Sequence, residues 1–300
     1  IRMSILKKLI TIAMLTAMLP GTAMATIGRK GKETSSTLEV QEPSRKALKV
    51  ETDKRVLQGT QGEEMVKRER GEIECLQRAA ALGNANAMNN LGIRFDTGRG
   101  VERNAEKAVE WYKRAMSLGN VGAMVNLGTC FAVGRGVTKD EVKAVELYHK
   151  AAKLGNVDAM CNLGLCFANG EGVAKDKKKA MEWYQKAAEL GDAAAMEILG
   201  SLFERREEDK DKEEAVKWYF KAANAGNAVA MSSLGRCFKD GIGVAKNEKI
   251  AFEWYLKAAN ADDARGMNGL GWCLQNGIGV EKDEEEAMKW YRKAMKLMYL

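Results

Sequence analysis

The sequence predicts an all-α solenoid built from tandem helix–turn–helix copies, and three observations predict it. An Ala-Met or Gly-Met pair recurs at Ala87, Ala123, Ala159, Ala195, Ala230 and Gly266, at intervals of 36, 36, 36, 35 and 36 residues. Self-similarity at a fixed period of this size marks a stacked repeat. Within each copy the apolar residues keep helical spacing, as Met160, Leu163 and Phe167 do at i, i+3 and i+7. The chain has only 2 prolines in 300 residues, which suits helix along nearly its whole length.

Taken in order, the chain opens with residues 1–25, which read as an export signal. Arg2, Lys7 and Lys8 form a positive start, Leu9–Leu19 is an apolar stretch too short to span a bilayer, and Ala23-Met24-Ala25 is a small-x-small cleavage site. The expected location is therefore periplasmic or secreted, with no stable membrane anchor after cleavage. Residues 26–62 are polar, mixed in charge and short of large apolar side chains, and are expected to be a flexible linker. The repeat region is residues 63–300. It starts with a half-copy, Glu63–Leu82, in which ECLQRAAALGN aligns with the EWYKRAMSLGN that follows, as befits the end of a solenoid.

Six full copies come next. The first helix of each carries A-M-x-x-L-G-x-x-F, and the Leu-Gly pairs begin at Leu91, Leu127, Leu163, Leu199, Leu234 and Leu270. A glycine inside a helix costs about 1 kcal/mol against alanine; six in register predict close approach of the second helix's backbone. A G-x-G-V loop follows in five copies, for example Gly170/Gly172/Val173. Paired glycines there allow left-handed turns, and a phosphate cradle is disfavoured because the loop follows a helix and lacks a Gly-Lys-Ser/Thr ending.

The second helix is expected to start at a cap column of Asn104, Asp140, Asp176, Asp211, Asn247 and Asp283. Its core stripe is Ala-Trp-Tyr-Ala, as at Ala180, Trp183, Tyr184 and Ala187. Glu110/Arg114, Glu146/Lys150, Glu182/Lys186 and Glu253/Lys257 have the i,i+4 order of paired surface charges. Gly119, Gly155, Gly191 and Gly226 end the helix as left-handed residues, and Ala261-Asp262 is an imperfect copy. In the fourth copy ERREEDK (Glu204–Lys210) replaces the glycine loop, so a different loop or an early second helix is expected there.

The charge balance bears on partners. The formal net charge is +7, but residues 1–62 carry +6 of it and the repeats only +1. That argues against nucleic-acid binding by the repeats. Cys130, Cys166, Cys237 and Cys273 share one column two residues after the Leu-Gly pair. Equivalent points on stacked helices lie about 8–10 Å apart, beyond the ~7 Å Cα separation that a disulfide tolerates. Buried thiols are expected instead.

The pattern A-M-x-x-L-G-x-x-F-x-x-G-x-G-V-x-x-D-x-x-K-A-x-x-W-Y-x-K-A-A resembles the Sel-1-like repeat, a relative of the tetratricopeptide repeat, over roughly Glu63–Leu300. The resemblance implies a right-handed α/α superhelix with the first helices lining a concave face. It also implies a scaffold for protein complexes, in signalling or in bacterial contacts with host cells. Some cysteine-rich members resemble penicillin-binding or β-lactam-hydrolysing proteins. Their disulfides join the two helices of one repeat, a spacing absent here, so an envelope enzyme is the lesser alternative.

No catalytic constellation is expected. His149, the only histidine, occupies a variable column; the cysteine column has no second ligand type for a metal, and no cofactor is implied. The candidate site is the concave face. By analogy with the tetratricopeptide groove it comprises the residues after each Met, Asn89, Val125, Cys161, Glu197, Ser232 and Asn268, and those after each Leu-Gly, Ile93, Thr129, Leu165, Ser201, Arg236 and Trp272. Glu197 and Ser201 are the weaker members. These columns vary between copies while the flanking core columns hold, as a surface released from packing would. Trp272 would be a strong anchor. The expected partner is a protein or peptide, and the apolar MKLMYL end of the last helix suggests self-association as a further reading.

Overall fold

The computed structural model describes residues 68–298. The export signal and the linker lie outside the described residues. A first helix, α1, includes residues 68–81 and is the second-helix half-copy that the alignment predicts. Six antiparallel pairs follow: α2 (Ala85–Thr97) with α3 (Ala105–Ser117), α4 (Val121–Val133) with α5 (Glu141–Lys153), and α6 (Val157–Asn169) with α7 (Lys177–Glu189). Then come α8 (Ala193–Glu204) with α9 (Asp209–Asn224), α10 (Ala228–Asp240) with α11 (Glu248–Asn260), and α12 (Ala264–Asn276) with α13 (Glu284–Met298). The described residues form an all-α repeat solenoid with no strand.

Each pair is joined by one contact that the sequence places but does not explain. A Cβ added to Gly164 would lie 2.6 Å from the ring of Tyr184, and Gly92, Gly128, Gly200, Gly235 and Gly271 face Tyr112, Tyr148, Tyr219, Tyr255 and Tyr291 in the same way. The helix glycine thus makes room for a tyrosine ring, and the expectation of backbone approach is corrected. The ring and the preceding leucine make the core: Tyr112 and Tyr219 are 2% exposed and Leu91, Leu163 and Leu234 are 0% exposed. The loop valines Val101, Val137, Val173, Val244 and Val280 pack against its edge.

Tryptophan takes a different place from the expected one. Trp111, Trp183, Trp218, Trp254 and Trp290 are half-buried, each under a cation three positions on. The Lys186 amine lies 4.2 Å from the Trp183 ring centre, Lys221 4.0 Å from Trp218, Lys257 4.1 Å from Trp254 and Lys293 3.9 Å from Trp290, with Arg114 5.0 Å from Trp111. None of the four expected Glu–Lys/Arg pairs forms an ion pair among the described residues. An exposed ion pair contributes little in water. The cation gains more over the indole face, and it covers apolar ring that the next helix leaves open.

The joints explain why the copies repeat so regularly. Helix α3 ends with Gly119 at φ +82. Gly119 N–H donates to Met116 (2.9 Å) and Asn120 N–H to Ala115 (3.0 Å), the paired bonds of a Schellman end. The same Asn120 then caps α4, its Oδ1 accepting from Ala123 N–H at 2.7 Å. Asn84, Asn156, Asp192, Asn227 and Asp263 cap the other first helices in this way, a column that the sequence reading did not single out. Where glycine is lost, Asp262 is the one non-glycine residue described at positive φ, +57.

Within each unit the loop closes by a bond from the second helix's cap residue: Asn104, Asp140, Asp176, Asn247 and Asp283 donate N–H to Phe95, Phe131, Phe167, Phe238 and Leu274 at 2.8–2.9 Å. Their side chains accept from the residue three on, as predicted. The second loop glycine faces the preceding unit, Gly172 packing against the Glu141 carbonyl with no room for a Cβ. Asp211 departs from the pattern. It lies inside α9, which begins two residues earlier at Asp209 behind a Glu208 that makes no side-chain cap bond. The early start expected of this copy is present, and its cap is not.

Candidate protein-binding surface

The first helices of successive units are tied together directly. Asn126 Nδ2 donates to Asn89 Oδ1 at 2.9 Å, Asn120 Nδ2 to Asn86 Oδ1 at 2.7 Å, and Asn227 Nδ2 to the Ala193 carbonyl at 3.1 Å. Helix α10 also packs on α12. The first helices of neighbouring units therefore contact one another directly.

The structure sorts the twelve residues of the two variable columns. Asn268, Ile93 (36%) and Trp272 (38%) are exposed. Asn89, Thr129, Leu165, Glu197, Ser201 and Arg236 are half-buried. Val125, Cys161 and Ser232 are buried and offer little surface; small or apolar side chains there sink between adjacent first helices. Several have internal partners: the Thr129 hydroxyl lies 3.2 Å from the Tyr148 hydroxyl, the Ser232 hydroxyl donates to the Val229 carbonyl at 2.8 Å, and Cys161 Sγ lies 3.7 Å from Asp192 Oδ1. Trp272 stands under the Lys239 amine at 4.7 Å.

Arg236 is the residue most changed by its surroundings. Its guanidinium grips Glu204 of the preceding unit at 2.6 and 2.7 Å, and the Tyr219 hydroxyl donates to the same carboxylate at 2.7 Å. Burial alone would raise the Glu204 carboxyl. The Arg236 fork and the Tyr219 hydroxyl outweigh it and hold the group below the usual carboxylate range. Sequence reasoning treated Glu204 as the start of an odd loop. The signal that finds it is positional: an acid where Ala132 and Ala168 stand in other copies, facing an arginine one copy on.

Burial pushes the buried thiols up, to about 12 for Cys166 and Cys237 and about 11 for Cys273. They remain protonated at neutral pH and are poor nucleophiles. His149 packs edge-on against Trp183, 5.4 Å between ring centres. Burial, then Lys153 and Lys186, lower its pKa, so the imidazole is neutral at pH 7. Among the described residues no group of three or more His, Cys, Asp or Glu gathers as metal ligands. No described helix is long and apolar enough to cross a membrane.

A stack of helix pairs with a repeated frame and two unequal variable columns defines a tandem-repeat solenoid. The chain belongs to the Sel1 repeat family: the family model matches seven times, at residues 73–84, 85–120, 121–156, 157–192, 193–227, 228–263 and 264–297. Repeats of this family generally mediate protein–protein interaction.

Among solved structures the chain is similar to c5321, a protective antigen present in uropathogenic Escherichia coli strains that displays an SLR fold. The two are 30% identical at a TM-score of 0.65, over 74% of this chain and 48% of that one. The chain thus spans about half the length of that relative. It is also similar to a Sel1 repeat protein from Oxalobacter formigenes, 29% identical at a TM-score of 0.63, over 74% of this chain and 96% of the other. No curated protein matches the chain.

Proposed function

We propose that the protein is an exported, non-enzymatic scaffold that holds a protein or peptide segment along the first-helix side of its solenoid. One observation carries the reading. The column that follows each Leu-Gly pair differs in every copy, from Ile93 to Trp272, while the leucine, glycine and tyrosine columns beside it keep their identity. Packing constrains the second set, whereas none of the six residues in the first is buried, which leaves that column open to a partner. An exposed tryptophan on such a face is the kind of residue that anchors interfaces. Export rests on the signal-like residues 1–25 alone.

The experiment is a comparison of faces. Trp272→Ala and Ile93→Asp are expected to reduce capture of a specific partner from extract, each by tenfold or more, on the order of a central interface residue. Lys113→Glu on the second-helix face is expected to leave capture unchanged. Equal loss in all three variants, or in none, would remove the groove from the account. N-terminal sequencing of the mature product tests export, with Thr26 the expected first residue.

A further inference from the structure

Glu197 is a half-buried carboxylate with no hydrogen-bond partner among the described residues. It lies on α8 in the column otherwise held by Asn89, Val125, Cys161, Ser232 and Asn268. Every other buried or half-buried acid among the described residues has a donor. Asp96 meets Arg135 at 3.0 Å, Glu72 meets Arg94 at 2.6 Å, and Glu204 holds the Arg236 fork. Asp140, Asp176, Asp192 and Asp263 cap helices. No described side chain or backbone N–H bonds the Glu197 carboxylate. Arg265, on α12 two units on, and Arg205 lie near enough to draw its pKa down, with Asp263 and Glu204 opposing them; burial outweighs both arginines and holds the carboxyl above its usual range. A carboxylate that is partly shielded from water and has no bonded partner attracts a cation more strongly than a fully solvated one, and a cation brought from outside would pair with it.

We infer that Glu197 receives a lysine or arginine side chain of the bound segment. The inference rests on the groove reading above and names the chemistry of the partner. The neighbours in the Glu197 column are spoken for, Cys161 by Asp192 and Ser232 by the Val229 carbonyl. Ser201, one turn further along α8, lies on the same helix face. The preceding unit presents Leu165, which is half-buried. Helices stack about 8–10 Å apart, and an extended chain rises about 3.3 Å per residue. The segment therefore carries an apolar residue about three positions from its basic one.

The test uses the full chain and labelled Gly/Ser peptides of about a dozen residues, with leucine every third position around a central lysine, arginine or glutamine. Fluorescence anisotropy is expected to show the lysine and arginine peptides binding at least about tenfold tighter than the glutamine peptide, the range of one charge-assisted hydrogen bond. Glu197→Gln, nearly isosteric, is expected to abolish that preference, whereas Glu146→Gln on the second-helix face keeps it. Equal binding of all three peptides, weakened by Trp272→Ala, would overturn the role of Glu197 and leave the groove standing. A basic preference that survives Glu197→Gln would do the same. Peptides that do not bind, or bind without regard to either Glu197→Gln or Trp272→Ala, would overturn both readings.

Discussion

Gly164 and Tyr184 show how a single missing carbon sets the packing of a whole unit. In an ordinary helix interior, Gly→Ala stabilises by about 1 kcal/mol. Here the new Cβ would meet a buried ring, and overpacking of this kind costs about 1–3 kcal/mol. Gly164→Ala is therefore expected to lower the urea midpoint although it improves helix propensity. A raised midpoint would show that Tyr184 can swing aside. The tyrosine hydroxyls find their partners locally and differently, Thr129 for Tyr148, Glu204 for Tyr219 and Gln275 for Tyr291 at 3.0 Å. The ring is fixed by the repeat, and its polar tip is free to be used by each copy.

At the scale of the element, the fourth pair is where the repeat is rebuilt. Its loop has lost the glycine turn and the side-chain cap, and in exchange it carries the bridge from Glu204 to Arg236. The carboxyl of Glu204 has a lower pKa folded than unfolded, so the bridge stabilises above the unfolded value of about 4.3 and that contribution fades as pH falls below it. Stability measured against pH in wild type and Glu204→Gln is expected to show a constant gap above about pH 4.3 that closes as pH falls below it. Parallel curves would deny the bridge its role.

This bridge also marks where reading the sequence stops. The five second-helix caps other than Asp211, the glycine turns and the departure of the fourth copy were legible because each is written within a few neighbouring residues. The register of Asp211 was not, because Glu207, Glu208, Asp209 and Asp211 are all plausible caps once one residue is missing. Trp183 and Tyr184 are adjacent and both aromatic, and the choice of which one enters the core depends on a glycine of the other helix. The columns of the candidate surface came from the resemblance to the tetratricopeptide groove. The sinking of Val125, Cys161 and Ser232 was not legible, since it depends on how closely neighbouring units stack.

For the molecule as a whole, each described unit touches its neighbours through the same frame, and stability becomes nearly a sum over units and their joints. Hydrogen exchange is expected to be uneven along that sum. The loop amides of Asp140, Asp176 and Asn247 are locked onto phenylalanine carbonyls; in the fourth loop the bond to Phe203 comes early, from Arg206 N–H at 3.0 Å, and no described backbone bond holds the amides of Glu207 and Glu208. Peptides covering 204–212 are expected to exchange sooner than those covering 134–140 or 170–176, and the opposite order would refute the assignment of a weak fourth loop.

The shared asparagine between units has a mechanical meaning. Because Asn120 closes α3 and opens α4 with one residue's bonds, the hinge between those copies has no slack to give. The same device recurs at Asn156, Asp192, Asn227 and Asp263. The described stack should therefore yield little at any single joint and share a bend among all of them.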